Sequence, residues 1–177
     1  MKLLLHICCG PCALYPVREL LDKKFDKITG FFYNPNIHPP SEYKKRKDTL
    51  SEAASKIGFE IIIPAYKMEE YFRKVISKED SPERCRLCWE LRLSETAVFA
   101  KNNGFDAFTT TLLISPYQDH EKIKEIGEKI AGEKGVQFYY QDFRPGFKGA
   151  QEQARKENLY RQKYCGCVFS ELERVKV

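Results

Sequence analysis

The 177-residue chain lacks any long apolar run. Its first apolar stretch, Leu3 to Leu5, is interrupted at once by His6, and no segment approaches the ~20 apolar residues that a membrane span requires. The same stretch is too short for the apolar region of a secretory signal. We therefore expect no membrane segment and a cytoplasmic location.

The chain also lacks a strong excess of charge of either sign. It has 30 Lys and Arg against 25 Asp and Glu, which gives a net charge of +5. Such mild basicity permits a nucleic-acid partner without requiring one. Hydrophobic residues make up 42% and charged residues 31% of the chain, and this balance is typical of a globular protein.

No internal repeat or low-complexity tract interrupts an alternation of short apolar strands with helices. The predicted strands are 2–7, 28–33, 59–63, 107–111 and 136–140, and the predicted helices are 13–23, 41–57, 68–77, 82–103 and 120–132. We expect Ser41 to cap the second helix and Ser81 to be the N-cap of the fourth, with Pro82 in the first turn of the fourth.

This alternation predicts an α/β fold, in which a parallel sheet of about five strands carries helices on both faces. The fold is then Rossmann-like and similar to ATP-pyrophosphatase (HUP) domains. We expect a single domain over 1–177, with the α/β core at 1–140 and an irregular, short-helical C-terminal segment at 141–177. Ligands of such sheets bind beyond the carboxyl ends of the strands, so the loops after strands one, two and four are the candidate site.

Cysteine is abundant, with seven residues. An odd number and a reducing compartment argue against a disulfide framework. All seven fall in three short groups, which favours metal binding or redox chemistry over isolated burial. The groups are Cys8, Cys9 and Cys12; Cys85 and Cys88; and Cys165 and Cys167. Thiolates suit both zinc and iron–sulfur centres, and we favour iron–sulfur because the first group lies at a strand-to-helix switch, where active sites sit.

The spacing of Cys85 and Cys88 puts both thiols on one face of a helix. The closing pair, Cys165 and Cys167, flanks Gly166 and allows two interpretations. A disulfide across this tight turn would be strained, and strained bridges are the reducible, catalytic kind. Alternatively, the pair completes a metal shell.

Four segments together resemble the QueH-type epoxyqueuosine reductases over essentially the whole chain and in the family's order. They are CCGPC at 8–12, CxxC at 85–88, TTTLLISPYQDH at 109–120 and CGC at 165–167. The resemblance implies reduction of epoxyqueuosine in the anticodon loop of tRNA to queuosine, the last step of queuosine biosynthesis. It implies iron–sulfur chemistry without cobalamin and leaves the electron donor unknown.

The resemblance also assigns residues. It implies that Cys8, Cys9, Cys85 and Cys88 bind a 4Fe–4S cluster. It implies that Cys165 and Cys167 form the redox-active, disulfide-forming pair. Cys12 is left as a ligand for a second metal, a mononuclear iron.

Removal of the epoxide oxygen requires two electrons and two protons, and a Lewis-acidic iron would hold the leaving oxygen. Asp119 and His120 follow the fourth strand, and either is a candidate for the acid that protonates that oxygen or for a ligand of the second metal. The alternatives are that Asp119 is only a helix N-cap and that His120 is a helix-start residue without chemistry.

Other functions stay open at this point. A zinc-stabilised RNA-binding module would use the cysteines without catalysis, and a thiol–disulfide carrier would use CGC without metal. An ATP-dependent tRNA thiolase is weakened because CCGPC has one glycine and no serine, unlike a phosphate-binding loop. The basic run 44–47 is either an RNA contact or a solvated helix face.

Overall fold

The computed structural model describes residues 1–175, in which five strands form one parallel sheet. The strands are β1 (Lys2–His6), β2 (Lys27–Phe31), β3 (Ile61–Ile62), β4 (Ala107–Thr110) and β5 (Gln137–Phe138). Their order is β3-β2-β1-β4-β5, and every neighbouring pair is parallel. The predicted α/β sheet is confirmed, with edge strands shorter than predicted.

Seven helices surround this sheet in the described residues. They are α1 (Gly10–Leu21), α2 (Pro40–Ile57), α3 (Met68–Val75), α4 (Glu83–Asn102), α5 (His120–Lys134), α6 (Phe147–Lys156) and α7 (Val168–Val175). Helix α1 packs against α2 and α6, whereas α4 packs against α3 and α5. The two groups form the layers on opposite faces of the sheet, and none of the helices is both long and apolar enough to cross a membrane.

The core is built around β1. Leu3, Leu4 and Leu5 are each fully buried, because the central strand of a sheet that is covered on both faces needs apolar side chains on both. The register pairs Leu5 with Gly30 of β2 and with Thr109 of β4. The carboxyl end of β1 therefore lies next to the carboxyl ends of β2 and β4.

The two predicted serine caps, at Ser41 and Ser81, are wrong. Helix α2 begins at Pro40 after Pro39, and α4 begins at Glu83 after Pro82, in both cases without a side-chain cap. For α2, proline explains the difference, because its fixed φ suits the first turn of a helix and it has no N–H that needs an acceptor. In α4, Pro82 is itself the residue before the first turn. The predicted stop of α2 at Gly58 is confirmed, with a φ of 65°.

The C-terminal segment packs back onto the core. Helix α6 lies against α1, and α7 is joined to the start of α4 by Arg84, which donates to both carboxylate oxygens of Glu173. The last two residues of the predicted segment, 176–177, lie outside the described residues. The segment thereby closes over the carboxyl end of the sheet.

Candidate metal centre

The strand order reverses between β1 and β4, so the loops that follow these two strands meet at the carboxyl edge of the sheet. The Cys8 N–H donates to Thr111 Oγ1 at 3.1 Å, and the Thr111 hydroxyl donates to Cys8 Sγ at 3.4 Å. Such a reversal is where open α/β sheets bind ligands. The CCGPC loop therefore lies at the expected site.

Three thiols converge in this loop. The sulfur atoms of Cys8, Cys9 and Cys12 all lie within 4.8 Å of one another, and no other group of three His, Cys, Asp or Glu ligand atoms is this compact in residues 1–175. Cys9 is extended directly before α1, and Cys12 lies in its first turn. This spacing turns all three side chains toward one point.

Gln162 closes the trio from the C-terminal segment. Its Nε2 donates to Cys9 Sγ at 3.0 Å and to Cys12 Sγ at 3.7 Å. The sequence carries no signal for this residue, because a glutamine outside any cysteine motif is ordinary. The structure adds it as a hydrogen-bond donor to two of the three cysteine sulfur atoms.

Of the three thiols, that of Cys8 ionises most readily. Hydrogen bonds from Cys12 and Cys9 hold the pKa of Cys8 well below its usual range. Burial raises the pKa of Cys9, and the hydrogen bond to Cys8 raises that of Cys12. Since metals bind thiolates, metal uptake must release protons from the other two thiols and is favoured by higher pH.

The other four cysteines line a neighbouring cavity of about 600 Å³, here called the CxxC cavity. Its lining residues include Cys85, Cys88, Cys165, Cys167, Asn36, Trp89, Tyr117, Gln118 and Asp119. Cys88 and Cys167 pack against Tyr71, and burial raises the pKa of Cys88 to about 12. The structure thus brings Cys85 and Cys88 together with the CGC pair.

A second cavity of about 420 Å³, the CCGPC cavity, opens over the trio. Its lining residues include Cys8, Cys12, Arg92, Tyr117, Gln118, Gln162 and Cys165. Tyr117, Gln118 and the exposed Cys165 line both cavities. All three cysteine groups therefore face two adjoining spaces, with Cys165 at their junction.

Arg92 supplies a buried positive charge between the groups. It is 1% exposed, its Nε donates to the Cys88 carbonyl at 3.3 Å, and its buried Nη2 has no hydrogen-bond partner. Burial by itself lowers the pKa of Arg92, but the nearby thiols of Cys88, Cys165 and Cys8 outweigh it and raise the pKa. A buried cation requires a counter-charge, so these residues fit a metal centre bound by anionic thiolates.

The CGC loop is held by backbone contacts. Gly166 has a φ of 144°, which favours glycine, and its carbonyl accepts from the His38 N–H at 2.8 Å. Arg46 donates to the Cys165 carbonyl at 2.9 Å. All seven cysteines are free thiols, so the expected disulfide between Cys165 and Cys167 is not found in this structure.

Asp119 and His120 start α5. The Asp119 carboxylate accepts from the Lys122 N–H at 3.0 Å and caps the helix, and it also lines the CxxC cavity. His120 is buried, with Nε2 3.2 Å from the Ser115 carbonyl oxygen and Nδ1 without a partner. It is not part of the lining of either cavity.

The basic run 44–47 is only partly exposed to solvent. Lys44 and Lys45 are exposed, but Arg46 is 1% exposed and bonded to Glu42 at 2.7 Å. Arg46 is therefore a structural residue and not an RNA contact.

Comparison with known proteins decides the family. The family model for epoxyqueuosine reductase QueH matches residues 3–173. The chain belongs to the QueH family. A QueH-family relative from Dehalococcoides mccartyi is 40% identical over 174 residues, covering 98% of this chain and 94% of the relative. One from Thermotoga maritima is 38% identical over 181 residues, covering 97% and 91%.

Solved structures support the fold of this QueH-family chain. The U34-tRNA thiolase NcsA from Methanococcus maripaludis, solved with its 4Fe–4S cluster, superposes with a TM-score of 0.62 at 15% identity, covering 96% of this chain and 61% of the thiolase. A predicted subunit of tRNA methyltransferase from Methanocaldococcus jannaschii gives 0.53 at 13% identity, covering 87% and 76%. The likeness confirms the HUP-like architecture.

Proposed function

We propose that this chain is a cobalamin-independent epoxyqueuosine reductase that acts on tRNA in the cytoplasm. The observation that carries the proposal is the convergence of all three cysteine groups on two adjoining cavities at the switch point of the sheet. A non-catalytic zinc module needs only one group of four ligands, and it leaves a third group of cysteines without a use.

The cofactor in this proposal is a 4Fe–4S cluster held by Cys8, Cys9, Cys85 and Cys88. Such a cluster supplies electrons one at a time when bound. Cys12 and Asp119 are the proposed ligands of a second, mononuclear iron. Gln162 supports metal binding by the CCGPC loop, since it donates to the sulfur atoms of Cys9 and Cys12 and hydrogen bonds to sulfur tune such centres.

Cys165 and Cys167 are the proposed source of the electrons and protons that the reaction consumes. Oxidation of the two thiols to a disulfide releases two electrons and two protons, which convert the epoxide to an alkene and its oxygen to water. Cys165 is exposed at the junction of the cavities and Cys167 is buried, so an external electron donor of unknown identity would reach Cys165 first. Donating a proton to the leaving oxygen is the alternative role for the Asp119 carboxyl, which lies at the cavity wall. If Asp119 binds the second iron instead, His120 is the candidate acid.

The substrate base lies in the single-stranded anticodon loop and can be turned out of its stack into a cavity. Tyr117 is 84% exposed at the junction of the two cavities. Its ring lies at 84° to that of Phe147 with centroids 5.9 Å apart, and its high exposure leaves a ring face open to solvent. We propose that a neighbouring nucleotide stacks on this face.

Replacing Tyr117 with alanine is expected to weaken tRNA binding. Loss of one base–aromatic stack costs about 1–3 kcal/mol, which corresponds to a roughly 5- to 150-fold rise in KM for tRNA. Tyr117→Phe keeps the ring and should stay near the parent value. Steady-state kinetics on both variants check this, and an unchanged KM in Tyr117→Ala would remove Tyr117 from the interface.

The deciding experiment uses protein purified without oxygen. Iron, zinc and acid-labile sulfide are measured, and the reduced protein is then incubated with tRNA bearing epoxyqueuosine. About four sulfides, at least four irons and queuosine in the digested tRNA are expected. One zinc, no sulfide after reconstitution and unchanged epoxyqueuosine would instead establish the RNA-binding module. Turnover by metal-free protein would establish the thiol–disulfide carrier.

A further inference from the structure

We propose that Arg92 is the counter-cation of the metal centre and a positioning residue that raises its reduction potential. The inference rests on the proposed function, because it requires a redox-active centre at these cysteines. It adds a residue that belongs to none of the cysteine motifs. Arg92 lies on α4, one turn after Cys88, and lines the cavity of Cys8 and Cys12.

Arg92 differs from the other two buried arginines in having no carboxylate partner among the described residues. Arg46 is paired with Glu42 at 2.7 Å, and Arg84 is paired with Glu173 at 2.8 Å. Arg92 is as deeply buried as Arg46, yet among the described residues no carboxylate pairs with it and its Nη2 has no hydrogen-bond partner. Proteins rarely leave a buried guanidinium unpaired, because the loss of hydration is not repaid.

The surroundings of Arg92 offer sulfur in place of carboxylate. The thiols of Cys88, Cys165 and Cys8 lie close enough for their charges to act on the guanidinium. His6, the neighbouring ring on β1, is fully buried, and its two ring nitrogens lie 2.9 Å from Thr110 Oγ1 and 3.1 Å from the Tyr33 carbonyl oxygen. Arg46 also acts on Cys8 and Cys9, but its charge is paired with Glu42 at 2.7 Å. Arg92 is therefore the buried cation near these thiols that has no carboxylate partner among the described residues.

The effect on redox chemistry follows from electrostatics. A thiolate-bound cluster becomes more negative by one charge when it accepts an electron, so a fixed cation nearby favours the reduced form. Because the site is buried, solvent and salt screen the interaction little. Loss of Arg92 should therefore lower the midpoint potential of the cluster.

The test compares Arg92→Gln, Arg92→Lys and the parent protein, with Arg73→Gln as control. Arg73 is exposed on α3, so its removal changes the net charge equally without touching the site. Each protein is reconstituted and titrated anaerobically while the cluster is followed by EPR and visible absorbance. In Arg92→Gln we expect at least a tenfold shift of the reduction equilibrium toward the oxidised form, about 59 mV for one electron. Arg92→Lys should retain most of the parent value, and Arg73→Gln all of it.

The outcomes separate the inference from the proposed function. If the parent protein assembles no cluster, the proposed function is wrong, and the inference about Arg92 is wrong as well. If clusters form and Arg92→Gln has the parent potential, only the inference is wrong. Failure of Arg92→Gln alone to assemble a cluster, while Arg92→Lys does, supports the need for the cation. Failure of both would mark Arg92 as structural and overturn the inference.

Discussion

Replacing Cys9 with serine is expected to abolish the iron–sulfur centre and reduce turnover to that of a reaction without enzyme. Cys9 is 1% exposed, sits directly before α1 and accepts a hydrogen bond from Gln162. Serine keeps the size of the side chain but replaces a soft thiolate by an alcohol, which is a poor ligand for iron–sulfur clusters. Acid-labile sulfide and the conversion of epoxyqueuosine in tRNA measure the two losses.

The matched control is Cys12→Ser, three residues further along α1. If Cys12 binds a second iron, this variant keeps about four sulfides per chain and loses one iron. If it loses all sulfide, Cys12 is a cluster ligand, and the assignment of four ligands to Cys8, Cys9, Cys85 and Cys88 needs revision. A Cys9→Ser protein that retains its full sulfide content would contradict the assignment of Cys9.

Much of the fold follows from local pattern. The apolar run of β1 predicts a central strand, and strands alternating with helices predict a parallel sheet whose carboxyl edge carries the site. The positions of CCGPC and of the loop after β4 could therefore be predicted before any tertiary contact is known. The Cys8–Thr111 hydrogen bonds are the direct result of the two strands being neighbours.

The grouping of the cysteines could not be predicted in this way. The spacing of Cys85 and Cys88 places them on one helix face, but how that face meets the CCGPC loop depends on the packing of α4 across the sheet. The structure places this pair with Cys165 and Cys167 around one cavity, and Cys12 with Cys8 and Cys9. The role of Arg92 could not be predicted for the same reason, since only the folded chain shows that no carboxylate of the described residues pairs with it.

Arg46 shows how a distant contact overrides a local pattern. In the sequence it stands within a basic run that is typical of a solvated helix face. In the structure its guanidinium donates to the carbonyls of Tyr164 and Cys165, which lie 118 and 119 positions further along the chain. Only the fold of the C-terminal segment over α2 makes this residue part of the interior.

Replacing Arg46 with methionine is accordingly expected to lower the free energy of unfolding by about 3–5 kcal/mol, a large share of the total of a typical domain. The substitution leaves Glu42 as a buried carboxylate, with Tyr160 as its remaining donor at 2.5 Å. It also removes the two hydrogen bonds from Arg46 to the carbonyls of Cys165 and Tyr164. Urea denaturation of the apoprotein measures the loss, and faster alkylation of Cys167 reports the release of the loop.

Lys44→Met is the matched control, because Lys44 and Asp48 form an exposed ion pair of the same i,i+4 spacing on the same helix. Exposed pairs contribute little, so this variant should unfold close to the parent midpoint. Combining Arg46→Met with Glu42→Leu removes both charges and should recover part of the lost stability, since an apolar pair avoids the buried unpaired carboxylate. The alkylation rate of Cys167 should stay high in the double variant, because the donors to the Tyr164 and Cys165 carbonyls are still missing. An Arg46→Met protein no less stable than Lys44→Met would show that the pair does not anchor the C-terminal segment.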